Sequence, residues 1–189
     1  AAGAGGVIAN TVNGTVSSAT SPKFSGDLTT TGDSMSFLAR AKFAGRATGS
    51  SINKLAFGFS TSAALVSANS VMFGAEVHSH AAAVNDAFEA RVDTGGADSD
   101  VLTGKVQSVK GLEDFDSLAY FTVGGILLNE GDNYRAQFFI NGVLIKETRV
   151  STTTSGFTGG ICALFGHQPA VQATVGLATI DYIAGDTPR

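Results

Sequence analysis

Residues 133–150, NYRAQFFINGVLIKETRV, constrain the fold of this chain more than any other stretch. Asn141-Gly142 is the preferred pair for a two-residue type I′ turn, because both central residues need positive φ and Asn and Gly tolerate it best. The flanking segments therefore pair as a hairpin. With the turn there, Ile140 is expected to face Val143, Phe138 to face Ile145 and Tyr134 to face Arg149, while Phe139 and Leu144 pair on the other side. Both faces near the turn are apolar, so one should meet a second layer and the other a further layer or a partner.

The same period of two recurs along the chain. Met35, Phe37, Ala39, Ala41 and Phe43 alternate with Ser36, Leu38, Arg40 and Lys42, the signature of a half-buried strand. Leu55, Phe57 and Phe59 repeat it, as do Val71, Phe73, Ala75 and Val77, and then Phe88, Ala90 and Val92 opposite Glu89, Arg91 and Asp93. Gly58 and Gly74 sit on the non-core side of their strands and leave a shallow patch where a ligand, a loop or another backbone can come close. VLTGKVQSV, LAYFTVGGILL, ICALFG and TVGLATIDYIAG complete the strands, and GLEDFDS reads as a turn-rich break. About ten to twelve short strands without βαβ alternation predict an all-β chain, a two-sheet antiparallel sandwich or jelly roll. The sandwich is assigned to residues 34–189. Residues 1–33, rich in Ala, Gly, Ser and Thr, form an N-terminal arm expected to be ordered by its own sheet or by a neighbouring subunit.

Charge narrows the function classes. Charged residues make up 15% of the 189, with a net charge of −4, against about 25% in an ordinary domain. Lys and Arg are scattered singly, so no electrostatic drive toward nucleic acid or an anionic membrane exists. Phe reaches 13 while Trp is absent, which suits a dry interior better than a sugar-stacking platform. The lone Cys162 leaves no internal disulfide and reads as a buried small hydrophobe. No apolar run reaches the roughly 18 residues a membrane helix needs, and AAGAGGVIAN lacks the basic and apolar regions of a signal peptide.

MSFLARAKF, KLAFGFS, YRAQFFINGVLIKE and TVGLATIDYIAG together bracket residues 35–184, and their order resembles the concanavalin A-like lectin and glucanase superfamily, including its laminin G-like modules. The resemblance implies two curved sheets of roughly six strands each, a concave face that binds carbohydrate in many relatives, and in some a calcium ion at one edge. The glucanases' E-x-D-x-x-E strand is absent.

Candidate groups are few. Glu89 and Asp93 share a strand face, but Arg91 lies between them, so a solvated face is expected rather than a catalytic carboxylate pair. Glu113, Asp114 and Asp116 crowd one turn and should face solvent. His78 and His80 project from one strand with Glu76, a trio able to hold a metal but without a fourth ligand at clear spacing. His167 reads as a loop residue. Asp93, Asp98 and Asp100 on a Gly-rich loop offer the hard oxygen donors calcium prefers. No catalytic and no metal-ligating set is therefore assigned, with calcium the one possible cofactor. Phosphate-binding, nucleophile-elbow, zincin and dinucleotide motifs are all missing, so a non-enzyme is expected. The first reading is a structural or assembly protein, such as a capsid-decorating or fibre subunit of a virion or other extracellular surface, acting as a homo-oligomer or with other subunits. The second is a carbohydrate-binding module using Tyr120, Tyr134 or Tyr182 toward glycans. The third is a polysaccharide hydrolase or lyase.

Overall fold

The computed structural model describes residues 8–10, 28–47, 52–60, 71–94, 98–152, 162–168 and 178–186. Each alternating segment forms a strand: β1 (Ile8–Asn10), β2 (Ser34–Phe43), β3 (Asn53–Ser60), β4 (Val71–Ser79), β5 (Ala87–Thr94), β6 (Asp98–Lys105), β7 (Phe121–Asn129), β8 (Asn133–Ile140), β9 (Val143–Ser151), β10 (Cys162–Gln168) and β11 (Ala178–Asp186). They build a six-stranded sheet, β1-β11-β2-β7-β8-β9, and a five-stranded sheet, β10-β3-β4-β5-β6. Every pairing is antiparallel. The all-β two-sheet sandwich is thus the fold. Ile8–Asn10 of the arm pair with β11 in the chain's own sheet.

The inward rows meet as the alternation dictates. Phe37 on one sheet meets Phe59 on the other edge to face at 5.2 Å, and Phe73 meets Tyr134 at 6.4 Å. Phe43, Phe57, Phe59, Phe73, Phe88, Phe121 and Phe138 are all fully buried, the dry aromatic interior that Phe without Trp announced. Each such ring removes enough apolar surface from water to contribute about 1.5–3 kcal/mol.

Asn141 and Gly142 take φ of +49° and +80°, the positive values a type I′ turn demands. The hairpin register holds beside the turn, Ile140 opposite Val143 and Phe139 opposite Leu144, then shifts so that Phe138 meets Lys146 and Tyr134 meets Val150. The shift corrects the uninterrupted register. Without it Arg149 would share the core side with Tyr134; the bulge sends Val150 to the core and leaves Arg149 outside, bonded to Glu130 and Glu147. The hairpin's second face lies open to solvent in the single chain, with Leu144 47% exposed.

The turn-rich break plugs one end of the sandwich. Val106, Leu112 and Phe115 are buried and Val109 packs against them, because successive N–H groups at Val109, Leu112 and Phe115 donate to the carbonyls three residues earlier and so turn every third side chain inward. At the same end Asp86, fully buried, accepts from Arg46 Nη1 at 3.0 and 3.2 Å, from the His80 N–H at 3.0 Å and from the Ser117 N–H at 3.3 Å. This carboxylate fastens the end of β4 to the loop before β7.

Candidate functional site

Side chains that alternate away from the core on β3, β4 and β5 share the outer face of the five-stranded sheet. Register decides which of them meet. Pairing Ala75 with Ala90 and Val77 with Phe88 keeps the apolar row inward, and it sets Glu76 directly opposite Glu89 and Lys54 opposite His78. His78 Nε2 lies 3.2 Å from Glu76 Oε2 and 3.5 Å from Glu89 Oε2, and Lys54 Nζ lies 3.3 Å from the same Glu76 oxygen. One oxygen of each carboxylate and an imidazole nitrogen fall within 4.8 Å of one another.

The cluster is buried although its residues point away from the core: Glu76 is 3% and His78 4% exposed. Two carboxylates taken out of water are costly unless cations and donors offset them. The ammonium of Lys54 and the imidazole of His78 do so here. Beyond them the His80 ring stands 6.3 Å from that of His78. Burial pushes the His80 imidazole below its ordinary value, the neighbouring His78 adds to this, and Asp86 pulls the other way. The end of the strand is held where Asp86 takes the His80 N–H. Two kinds of chemistry suit such a set: moving a proton between imidazole and carboxylate, and ligating a metal ion.

The other candidates are dispersed. Glu89 belongs to the cluster rather than to a solvated row, while the backbone of Asp93 is in register with Asp98 and that of Asp100 with Arg91 along the β5–β6 ladder. Asp98 and Asp100 therefore lie on a strand, and the loop at residues 95–97 lies outside the described residues. His167 is likewise a strand residue, opposite Leu55 on β10, and Cys162 stands opposite Ser60. Glu113 and Asp114 are exposed as expected. The Gly111 N–H donates to Glu113 and holds its carboxyl below the usual range. Asp116 is exposed as well and pairs with Arg46. The three tyrosines lie away from this cluster, Tyr134 buried and Tyr120 and Tyr182 exposed near Arg40. Tyr134 is a core residue whose hydroxyl donates to the Leu28 carbonyl, Tyr120 lies under Arg40 and Lys42, and Tyr182 projects from the opposite sheet, level with Arg40. Among the described residues no tyrosine stands beside His78.

Lys54 and the Glu76–Glu89 pairing escaped the sequence reading. A signal for them existed: aligning the apolar rows of VMFGAEVH and AFEARVD across the short turn at residues 80–86 places the two glutamates opposite one another.

The class that fold and site define is a two-sheet antiparallel β-sandwich carrying an acid–base cluster on one outer face. No protein-family model matches the chain, and no curated protein matches it by sequence. Solved structures do share its fold. Alginate lyase Aly36B, as a double mutant in complex with an alginate trisaccharide, superposes with a TM-score of 0.58 at 16% identity, covering 85% of this chain and 73% of that one. Alginate lyase AlyC3 gives 0.55 at 10% identity, over 95% and 74% of the two chains. A functionally unknown protein from Saccharomyces cerevisiae gives 0.53 at 11%, over 97% and 89%. The lectin-family resemblance thus holds at the level of the sandwich and carries no specific lectin identity.

Two expectations are corrected. The capsid-decorating or fibre reading rested on low charge, a two-faced hairpin and the want of clustered titratable groups; such a cluster is there, assembled across strands instead of along one, and the solved structures that share the fold are named as alginate lyases, not as capsid or fibre subunits. The expectation of a non-enzyme fails for the same reason. Motif searches read along the chain, and this cluster is assembled from three strands.

Proposed function

We propose that this chain is a polysaccharide-degrading enzyme working at the outer face of the five-stranded sheet, with the cluster of Lys54, Glu76, His78 and Glu89 as its centre. The observation that carries the reading is the single imidazole nitrogen held 3.2 Å from the buried carboxylate of Glu76 and 3.5 Å from the part-buried one of Glu89. The fold shared with alginate lyases supports it.

Elimination fits the geometry better than hydrolysis. A retaining glycosidase needs its two carboxyls about 5–5.5 Å apart with the anomeric carbon between them. Here the interval between Glu76 and Glu89 is filled by His78 Nε2. An imidazole backed by carboxylates takes the proton from a sugar carbon beside a carboxylate, the freed electron pair becomes a carbon–carbon double bond as the glycosidic C–O bond on the neighbouring carbon breaks, and the imidazolium hands the proton to the leaving oxygen, while Lys54 supplies positive charge for the enolate-like oxygens that form on the way. Alginate and other uronate polysaccharides are accordingly the substrates to try first. Calcium suits the cluster poorly, since it takes six to eight oxygen ligands and the set provides two carboxylates and a nitrogen.

A panel of uronate and neutral polysaccharides, followed by reducing ends and by the ultraviolet absorbance of unsaturated products, tests this. A uronate polymer should be cleaved with unsaturated ends, and His78→Ala should slow it by about 100-fold or more. Absence of cleavage across the panel, or an unimpaired His78→Ala enzyme, sinks the proposal. Binding without cleavage, at the same face, would favour the carbohydrate-binding reading.

A further inference from the structure

We infer that Glu76, His78 and Glu89 form a binding site for a divalent transition-metal ion of the zinc type, taken by one oxygen of each carboxylate and by His78 Nε2. Spacing is the first argument. Ligand atoms about 2.0–2.2 Å from a tetrahedral zinc ion lie roughly 3.3–3.6 Å from one another. The two edges that meet at His78 Nε2 measure 3.2 and 3.5 Å, so the nitrogen already stands at tetrahedral-shell distance from both oxygens. The third edge, between the carboxylates, is within 4.8 Å, at most about an ångström longer than the tetrahedral edge.

Rigidity is the second. All three ligands sit on neighbouring, hydrogen-bonded strands, Glu76 and His78 two residues apart on β4 and Glu89 directly across on β5. Glu76 and His78 are almost wholly withdrawn from solvent. A site of this kind loses little conformational entropy when the ion enters. The donor set then selects the metal: imidazole with two carboxylates suits zinc and its neighbours in the first transition row, and rejects magnesium and calcium.

Lys54 is the counterweight. Its ammonium lies 3.3 Å from Glu76 Oε2, so the ion must displace it. The flexible four-carbon stem allows this, since Lys54 keeps 27% of its side chain exposed and can swing outward. Metal and proton then compete for the same lone pair on His78 Nε2. The loaded form is therefore not the proton-transferring form, and zinc acts as an inhibitor of the elimination proposed above; this last consequence, unlike the binding itself, rests on that reading.

Chelator-stripped protein titrated with zinc chloride, by calorimetry and by metal analysis after dialysis, reads the site directly. One ion per chain is expected, with no heat from calcium or magnesium at the same concentration. His78→Ala and the near-isosteric Glu89→Gln should each weaken binding by about 100-fold or more, with melting curves confirming that both fold. Lys54→Met should tighten binding by about tenfold, the equivalent of about 1.4 kcal/mol of relieved repulsion. Failure to take up zinc overturns the inference, as does unchanged affinity in Glu89→Gln or weaker binding in Lys54→Met. Zinc uptake by a protein that cleaves no polysaccharide overturns the proposed enzyme alone. Cleavage that zinc does not inhibit, with no zinc retained, overturns the metal site alone.

Discussion

Asp86→Ala probes how the end of β4, and with it His78, is held in place. The wild-type carboxylate is fully buried and collects four bonds: two from Arg46, one from the His80 N–H and one from the Ser117 N–H. Removing one partner of a buried ion pair costs about 3–5 kcal/mol. Arg46 keeps its contact with Asp116 and 19% of its side-chain exposure, which places the loss near the low end, about 3 kcal/mol. For a chain of this length that is a fall in Tm of roughly 6–12 °C. Urea unfolding read by circular dichroism and fluorescence measures it. Asp86→Asn keeps one acceptor oxygen and should lose less than Asp86→Ala. If Asp86→Ala unfolds within about 1 kcal/mol of wild type, Asp86 is not the fastening described, and the argument that buried one-sided charges dominate here fails.

Gly58→Ala should destabilise by about 1–3 kcal/mol, because a Cβ there would run into the Phe73 carbonyl and the Gly74 backbone; a thermal melt unchanged from wild type would refute the close approach. Glu147 gives an acid-limb test. The bond from Gln137 holds its carboxyl below the usual carboxylate range, with Arg149 and Arg135 adding to this. Between the lowered folded value and the unfolded one, the folded chain binds fewer protons, so stability rises with pH there. The contribution is complete above the unfolded value and fades as pH falls through the folded one. Glu147→Gln should therefore flatten the dependence of Tm on pH below about 4.5 and leave neutral pH little changed; parallel curves for the two proteins would contradict it.

Much of the sandwich could be read from the chain because each strand writes its own period of two and the Asn141-Gly142 corner fixes one pairing. Long-range consequences could not. The bulge near Ile145 is required by what Arg149 would otherwise bury, a fact of the opposing strand. GLEDFDS looked like solvent-facing punctuation, yet Val106, Val109, Leu112 and Phe115 recur every third residue, a rhythm of successive tight turns that a search for periods of two or 3.6 passes over. The glycine patch at Gly58 and Gly74 was foreseen as a close approach, and the approaching group is the neighbouring backbone. The site itself was half visible. Glu76 and His78 declared themselves by alternation on one strand, whereas Glu89 and Lys54 reach them only through register, which a single chain encodes in the matching of apolar rows and not in any local motif.

Where an oligosaccharide sits on the molecule tests the account most directly. Amide spectra of the His78→Ala protein should be recorded while titrating a uronate oligosaccharide such as an alginate trisaccharide. The account expects the shifts to centre on Lys54, Ala56, Glu76 and Glu89, on the outer face of the five-stranded sheet. Shifts confined to Leu38, Phe139 and Leu144, on the exposed face of the other sheet, would place the working surface on the wrong side of the sandwich and contradict it.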